Sequence, residues 1–251
     1  MLFGDRMIIA NATGCSSIYS GSFPSCKFSK NEEGTGPAWA NSLFEDNADF
    51  GLGLKLGSKY SNNEDKSQWI IGGDGWANDI GFGGLDHILQ SNANVNILVL
   101  DNENYSNTGG QASKATPLGA YQKFTENGKS TKKKNLGLIA MSYRNAYVAQ
   151  VSLGANMTQC IKAFKEAEAF NGPSIIIAYS TCVNHGFKMS DSMSEMRKAV
   201  ETGYWNLYRY NPNSGLTLDY DPTVNTKEFL KGERRFTALL GKDEQRAMYL
   251  F

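Results

Sequence analysis

Two short apolar runs frame this chain: Trp69-Ile-Ile-Gly-Gly73 and residues 95–100 each read as a buried strand that ends in small or polar residues. Between them a helix is expected from near Ala77, with Ile80, Leu85, Ile88 and Leu89 on one packing face, small Gly84 among them, and Asn92 to Asn94 as stop and turn residues. In an open parallel sheet, ligands bind at the carboxyl ends of the strands. Gly73-Asp74-Gly75 stands at the first such end and Asp101-Asn102-Glu103-Asn104-Tyr105 at the second. Mg²⁺ takes about six oxygens in a tight octahedron and seldom all from protein. Asp74, the Asn102 side chain, the Asn104 carbonyl and the oxygens of a diphosphate make a sufficient set. Gly73 and Gly75 are expected to let the backbone approach phosphate and to donate N–H groups at the start of the helix. For the glycines alone, an ordinary strand-to-helix turn is the competing reading.

The remaining chain alternates in the same way. A strand is expected at 7–10, a loop-rich stretch at 20–62, a long loop at 102–134, a short strand near Leu138 and a strand or helix start at 147–153. A helix follows at 158–170, and a β-branched strand at 174–179 behind Gly172-Pro173. Ser192 and Glu195 read as a capping box opening a helix with Met193, Met196 and Val200 turned inward. This predicts an α/β fold, doubly wound around a mostly parallel sheet. One domain is expected over 1–210, with residues 211–251 as a carboxyl-terminal arm or small helical extension. Nothing ahead of the first strand covers its edge or faces, so an amino-terminal portion is expected to be missing.

With 251 residues and 41% hydrophobic content, the chain suffices for one large core. Twenty-five basic and twenty-five acidic residues cancel, which gives no electrostatic case for nucleic acid or an anionic membrane. The run Lys132-Lys133-Lys134 reads as a solvated loop. No stretch approaches a membrane span, and no secretory leader is evident. A nucleotide-binding reading fails because Gly81-Phe-Gly83-Gly84 lacks the G-x-G-x-x-G order and no phosphate-loop lysine motif occurs.

The four cysteines read as thiols rather than disulfides, in a reducing compartment. Cys160 sits at helical spacing with Met157, Ile161 and Phe164 and is expected in the core, whereas Cys26, in a Pro-Ser-Cys-Lys loop, is expected to be exposed. Cys15 follows the first strand and Cys182 follows the strand at 174–179, so both are expected at the edge that carries Asp74. Cys182-x-x-His185 lacks the second pair a structural zinc site needs, so His185 is expected to bond locally or to face substrate. His87 is expected at a surface or interface.

Several longer words point one way: Ala12-Thr-Gly-Cys-Ser-Ser-Ile-Tyr19, Gly36-Pro-Ala-Trp-Ala-Asn-Ser-Leu-Phe-Glu-Asp-Asn47, Gly73-Asp-Gly-Trp-Ala77, Tyr105-Ser-Asn-Thr-Gly-Gly-Gln-Ala-Ser113 and Thr181-Cys-Val-Asn-His185. From Met1 to about Tyr208 the chain resembles the C-terminal, thiamin diphosphate-binding part of pyruvate:ferredoxin (flavodoxin) oxidoreductases, and it covers a fraction of such an enzyme.

The resemblance implies oxidative decarboxylation of pyruvate to acetyl-CoA and CO2, with electrons passed through iron–sulfur clusters to ferredoxin or flavodoxin and the acetyl group taken by coenzyme A. It implies thiamin diphosphate and Mg²⁺ held by Asp74, Asn102 (where the family has Thr) and Asn104, lined by Gly73, Gly75, Trp76, Glu103, Tyr105 and Ser106, with Asn107 as the catalytic residue near the reacting carbon. Cys15 and Cys182 match two of four ligands to a [4Fe-4S] cluster, the others belonging to an upstream Cys-x-x-Cys. The glutamate that acts on the aminopyrimidine and the residues that grip the pyruvate carboxylate belong to another domain. A homodimer with the remaining domains is therefore implied, in the cytoplasm or the matrix of a hydrogenosome-like organelle. A segment between Gly53 and Trp69 is shorter than in the family. The rival expectation is a noncatalytic remnant that keeps the fold.

Overall fold

The computed structural model describes residues 2–21, 30–61, 63, 65–223, 225–242 and 245. Strand β1 (Met7–Ala12) leads into α1 (Cys15–Gly21), followed by β2 (Ala38–Ser42) and α2 (Asn47–Ser58). Next come β3 (Ser67–Gly73), a π-helical turn (Trp76–Ile80) that runs into α3 (Phe82–Gln90), and β4 (Asn96–Asp101). After a long connection, α4 (Leu136–Ser142), β5 (Tyr147–Val151), α5 (Met157–Ala169), β6 (Ser174–Tyr179) and α6 (Ser192–Glu201) continue the alternation. The hairpin β7 (Tyr208–Asn211) and β8 (Gly215–Leu218) precedes α7 (Thr226–Gly232) and α8 (Arg234–Leu240).

Among the described residues the strands form one sheet in the order β2-β1-β3-β4-β6-β5-β7-β8. The first six run parallel, and β7 and β8 add antiparallel. This is the doubly wound α/β architecture that the alternation predicts. Its parallel strands are apolar on both sides because helices cover both faces. Ile9, Trp69 and Ile176 pack with Cys160, Ala163 and Ala167 of α5 on one face. Their neighbours Ala10, Ile70, Ile175 and Ile177 pack with Leu85, Ile88 and Leu89 of α3 on the other. Each such fully buried aliphatic side chain contributes about 1.5–3 kcal/mol.

Several local expectations need correction. The stretch expected as loop contains β2 and α2, and β1 is an inner strand between β2 and β3. Glycines at 51, 53 and 57 hide α2 from propensity, yet packing decides it: a Cβ on Gly51 would lie 2.4 Å from the Ile70 side chain. The short strand near Leu138 is α4, whose first turn is capped by the Asn135 side chain accepting from the Leu138 N–H. A short apolar run does not reveal its period.

Ile80, placed on the α3 face by spacing, is exposed, because the π turn shifts the phase before α3 begins. Met157 and Ile161 are exposed as well, while Cys160 is buried as expected. The capping box fails. Asp191 is the cap residue of α6, the Ser192 hydroxyl donates to the Met189 carbonyl, and Glu195 is buried while Met193 faces outward. Lys133 is not solvated but pairs with Asp101 and Glu103. Cys26 lies outside the described residues.

Residues beyond 210 supply β8 to the sheet, and Phe229 of α7 and Phe236 of α8 enter the main core beside Trp205. Among the described residues no helix is long and apolar enough to cross a membrane.

The two glycines of α2 test this packing against helix propensity. Gly53 has open space where a Cβ would sit, so Gly53→Ala is expected to stabilise by up to about 1 kcal/mol. Gly51→Ala gains the same propensity but forces a methyl into Ile70, and is expected to destabilise by about 1 kcal/mol net. Urea midpoints of the two variants should therefore move in opposite directions.

Candidate functional site

Four neighbouring strands, β1, β3, β4 and β6, end at one edge of the sheet. Beyond their ends stand Cys15, Asp74, Asn102 and Cys182. Gly73 and Leu100 are register partners, so the chain leaves β3 and β4 side by side.

Asp74 is fully buried, with Oδ2 accepting a 2.6 Å hydrogen bond from the Ser113 hydroxyl. Its Oδ1 faces the Asn102 carboxamide. One end of that carboxamide is 2.9 Å from Ser106 Oγ, and the other is 2.8 Å from both Asp74 Oδ1 and the Asn104 carbonyl oxygen. An amide nitrogen on the Asp74 side donates to both oxygens. Turned over, the amide brings a third oxygen to the same point. Adjacent ligands of an octahedral ion with bonds of 2.0–2.1 Å are about 2.9 Å apart. The inner end of the Asn102 carboxamide stands at about that spacing from both the Asp74 carboxylate and the Asn104 carbonyl, and such donors suit a hard divalent cation.

Electrostatics favour a cation here. Among the described residues Asp74, Asp101, Glu103 and Glu233 are all buried, and the ion pairs that Asp101, Glu103 and Glu233 make with fixed cations are to Lys133 and Arg235. Burial first, then the neighbouring Asp101 carboxylate, pushes the Asp74 carboxyl well above its usual range. A divalent ion beside it reverses that preference.

The Asn102–Asn107 loop is tightly tied. Glu103 has φ +63°, its N–H donates to Asp101 Oδ1 (3.1 Å), and its carbonyl accepts from Thr116 Oγ1 (2.6 Å). The Glu103 carboxylate is buried and held by Lys133 and Arg235, so only the backbone of this residue is available to a ligand. The Trp76 indole is likewise in the core and leaves its backbone alone to line a diphosphate.

The glycines work differently from the expectation. Gly75 has ordinary helical φ and ψ, and a Cβ there would lie 2.3 Å from the Tyr105 ring. Tyr105 in turn donates to Asp79 Oδ2 at 3.0 Å. A Cβ on Gly73 would meet nothing nearer than the Leu100 carbonyl oxygen, 4.0 Å away. The helix starts at Asp74 rather than Ala77, and its first turn passes into the π turn closed by Gly81 N–H to Trp76 O, 2.9 Å. Such π turns concentrate at functional sites.

Both expected cysteines approach this loop. Cys15 Sγ is 3.1 Å from Ser106 Oγ and 4.0 Å from Asn107 Oδ1, and Cys182 Sγ is 3.9 Å from Asn104 Oδ1. Cys15 and Asn107 are exposed, and Cys182 is buried. Among the described residues no three His, Cys, Asp or Glu side chains stand together as a metal cage. The His185 side chain bonds at long range rather than locally, its Nε2 donating at 2.8 Å to the carbonyl of Asn102, 83 residues earlier, and His87 is exposed. Sequence reasoning missed Ser113, Thr116, Lys133, Tyr204, Glu233 and Arg235. Only Ser113 lay within a word that carried the resemblance.

A family model described as thiamine pyrophosphate enzyme, C-terminal TPP binding domain, matches residues 13–178. The chain is 46% identical to a pyruvate:ferredoxin oxidoreductase of Moorella thermoacetica over 328 aligned residues, covering all of this chain and 28% of that protein. It is 46% identical to a pyruvate-flavodoxin oxidoreductase of Klebsiella pneumoniae, covering 95% of this chain and 27% of that one. The chain thus spans about a quarter of the length of these relatives. The first alignment is longer than the chain's 251 residues, so that relative carries segments this chain lacks. A solved 2-oxoglutarate:ferredoxin oxidoreductase from Magnetococcus marinus superposes with a TM-score of 0.59 at 19% identity, covering 98% of this chain and 82% of that one, which shows a shared fold.

Glu103 gives the loop an acid sensitivity. Burial pushes its carboxyl up, but Lys133, Arg235 and His185 outweigh burial and hold it at about 2 against an ordinary 4.5. A depressed carboxyl stabilises the fold above pH 4.5 and loses that contribution as pH falls from 4.5 through 2, a difference on the order of 3 kcal/mol. Urea unfolding across this window should show a shallower loss of stability for Glu103→Gln than for the wild-type chain.

Proposed function

Since the chain belongs to the family of thiamine pyrophosphate enzyme C-terminal, TPP-binding domains, we propose that it is the diphosphate- and cation-binding part of a pyruvate:ferredoxin or pyruvate:flavodoxin oxidoreductase. The observation that carries this reading is that Asp74 Oδ1 and the Asn104 carbonyl oxygen each lie 2.8 Å from the same end of the Asn102 carboxamide, at the ends of β3 and β4. Asp74, Asn102 and Asn104 hold Mg²⁺, and Ser113 orients the Asp74 carboxylate as an outer hydrogen-bond partner. The backbone at Gly73, Gly75 and Trp76 faces the diphosphate, with Tyr105 and Ser106 closing the loop side.

Bound thiamin diphosphate supplies the electron sink for decarboxylation of a 2-oxo acid. The chain's own contribution is to anchor the metal and diphosphate, and to set Asn107 and Cys15 at the exposed mouth of the site. Cys15 and Cys182 supply two thiolates to a [4Fe-4S] cluster, whose other two ligands come from outside the described residues. Buried Cys160 packs from α5 into the core against the sheet. The complete enzyme, a dimer with further domains, passes electrons to ferredoxin or flavodoxin and the acetyl group to coenzyme A. Among the described residues Cys15, Cys160 and Cys182 are free thiols, which suits a reducing compartment such as the cytoplasm.

Calorimetric titration with thiamin diphosphate, with and without Mg²⁺, tests the reading. The wild-type chain should bind in a metal-dependent way, and Asp74→Ala should weaken binding at least about tenfold while the far-UV spectrum is retained. Unchanged affinity in the variant refutes Asp74 as a ligand. Absence of heat from the wild-type chain with Mg²⁺ present favours a noncatalytic remnant.

A further inference from the structure

Among the described residues, Glu103 is one of three non-glycine residues with positive φ, and it lies between Asn102 and Asn104. The left-handed conformation costs about 1–2 kcal/mol for a residue with a Cβ, so its neighbours must hold it. They hold both sides of the kink. Ahead of it, His185 Nε2 bonds the Asn102 carbonyl at 2.8 Å. A carbonyl only accepts, so Nε2 carries the proton. At the kink itself, Arg235 Nη2 lies 2.7 Å from Glu103 Oε2, and the Tyr204 hydroxyl donates to the same oxygen at 2.7 Å.

Glu233 stands between the two anchors. Its Oε2 accepts from Arg235 Nε at 2.6 Å, while its Oε1 lies 3.4 Å from His185 Nδ1 with no hydrogen bond between them. His185, Glu233, Arg235 and Glu103 thus form one buried cluster beside the Asn102 carbonyl, every side chain of it at most 2% exposed. His185, Glu233 and Arg235 all lie beyond residue 178, where the matched family region ends. Buried ion pairs seldom add net stability over apolar packing, so fixing a geometry is the better account of this cluster.

We infer that His185 and the start of α8, through Glu233 and Arg235, are positioning residues that preset the Asn102–Asn104 loop for the cation. The inference rests on the proposed reading of Asp74, Asn102 and Asn104 as ligands. His185 fixes the peptide ahead of the kink, and Arg235 fixes the side chain at it. None of the three touches the cation or cofactor itself.

The test compares His185→Leu, which loses the donor, with His185→Gln, which loses the ring but keeps an N–H, and with Arg235→Lys, whose single ammonium cannot bridge Glu233 and Glu103 as the guanidinium does. Free Mn²⁺ is followed by electron paramagnetic resonance in the full chain with excess thiamin diphosphate, and amide exchange across 102–107 is measured without metal. His185→Leu and Arg235→Lys should weaken Mn²⁺ binding about tenfold and speed exchange of the loop, whereas His185→Gln should stay within about twofold of wild type on both readouts. A role in packing alone predicts that Leu and Gln at 185 behave alike, and that result overturns the inference. Wild-type-like binding by His185→Leu or Arg235→Lys overturns it too, while leaving the cation reading intact. A wild-type chain that takes up no Mn²⁺ with thiamin diphosphate overturns the cation reading and the positioning role with it.

Discussion

Negative charge buried where two parallel strands end is the constraint on which the rest of this structure depends. Asp74 and Asp101 close adjacent strand ends in the protein interior, and Glu103 and Glu233 lie behind them with too few fixed cations to match. An unpaired carboxylate is costly in such surroundings unless it protonates or gains a counterion. Lys133 answers part of that demand by bridging Asp101 and Glu103, with its ammonium 4.8 Å from the Trp205 ring centroid. Asp74 Oδ1 and the Asn104 carbonyl oxygen are left facing the same end of the Asn102 carboxamide, and the proposed cation site rests on that placement.

The connection between β4 and α4 carries much of this organisation although it has little regular structure. Ser113 orients Asp74, Thr116 holds the Glu103 carbonyl, and Lys133 supplies the bridging charge. Lys129 Nζ donates to the Thr116 carbonyl at 2.6 Å and ties the connection to itself. Rigid strands place the ligands to within a residue, and the connection then sets the side-chain directions.

The frame was legible because it is local. Strands β3, β4 and β6 announce themselves as apolar runs, and Asp74, Asn102 and Asn104 stand in short words at their ends. What was illegible depends on contacts between distant parts of the chain. Nothing in the run Lys132-Lys133-Lys134 says that its middle member is drawn inward, since the partners lie 30 and 32 residues earlier. Glu233 and Arg235 sit in a charged stretch that looks solvated until α8 folds back over Tyr204. Gly75 was assigned to phosphate approach, but the demand for a hydrogen side chain comes from the Tyr105 ring. Helix α2 was missed because its glycines lower propensity at the positions where close packing requires them.

The Asn102 carboxamide is met from three sides. One end lies 2.9 Å from Ser106 Oγ, and the other lies 2.8 Å from both Asp74 Oδ1 and the Asn104 carbonyl oxygen. Its terminal torsion is soft, whereas the left-handed backbone at Glu103 is pinned by Thr116 on its carbonyl and by His185 on the carbonyl before it. Reorienting that amide therefore asks nothing of the main chain.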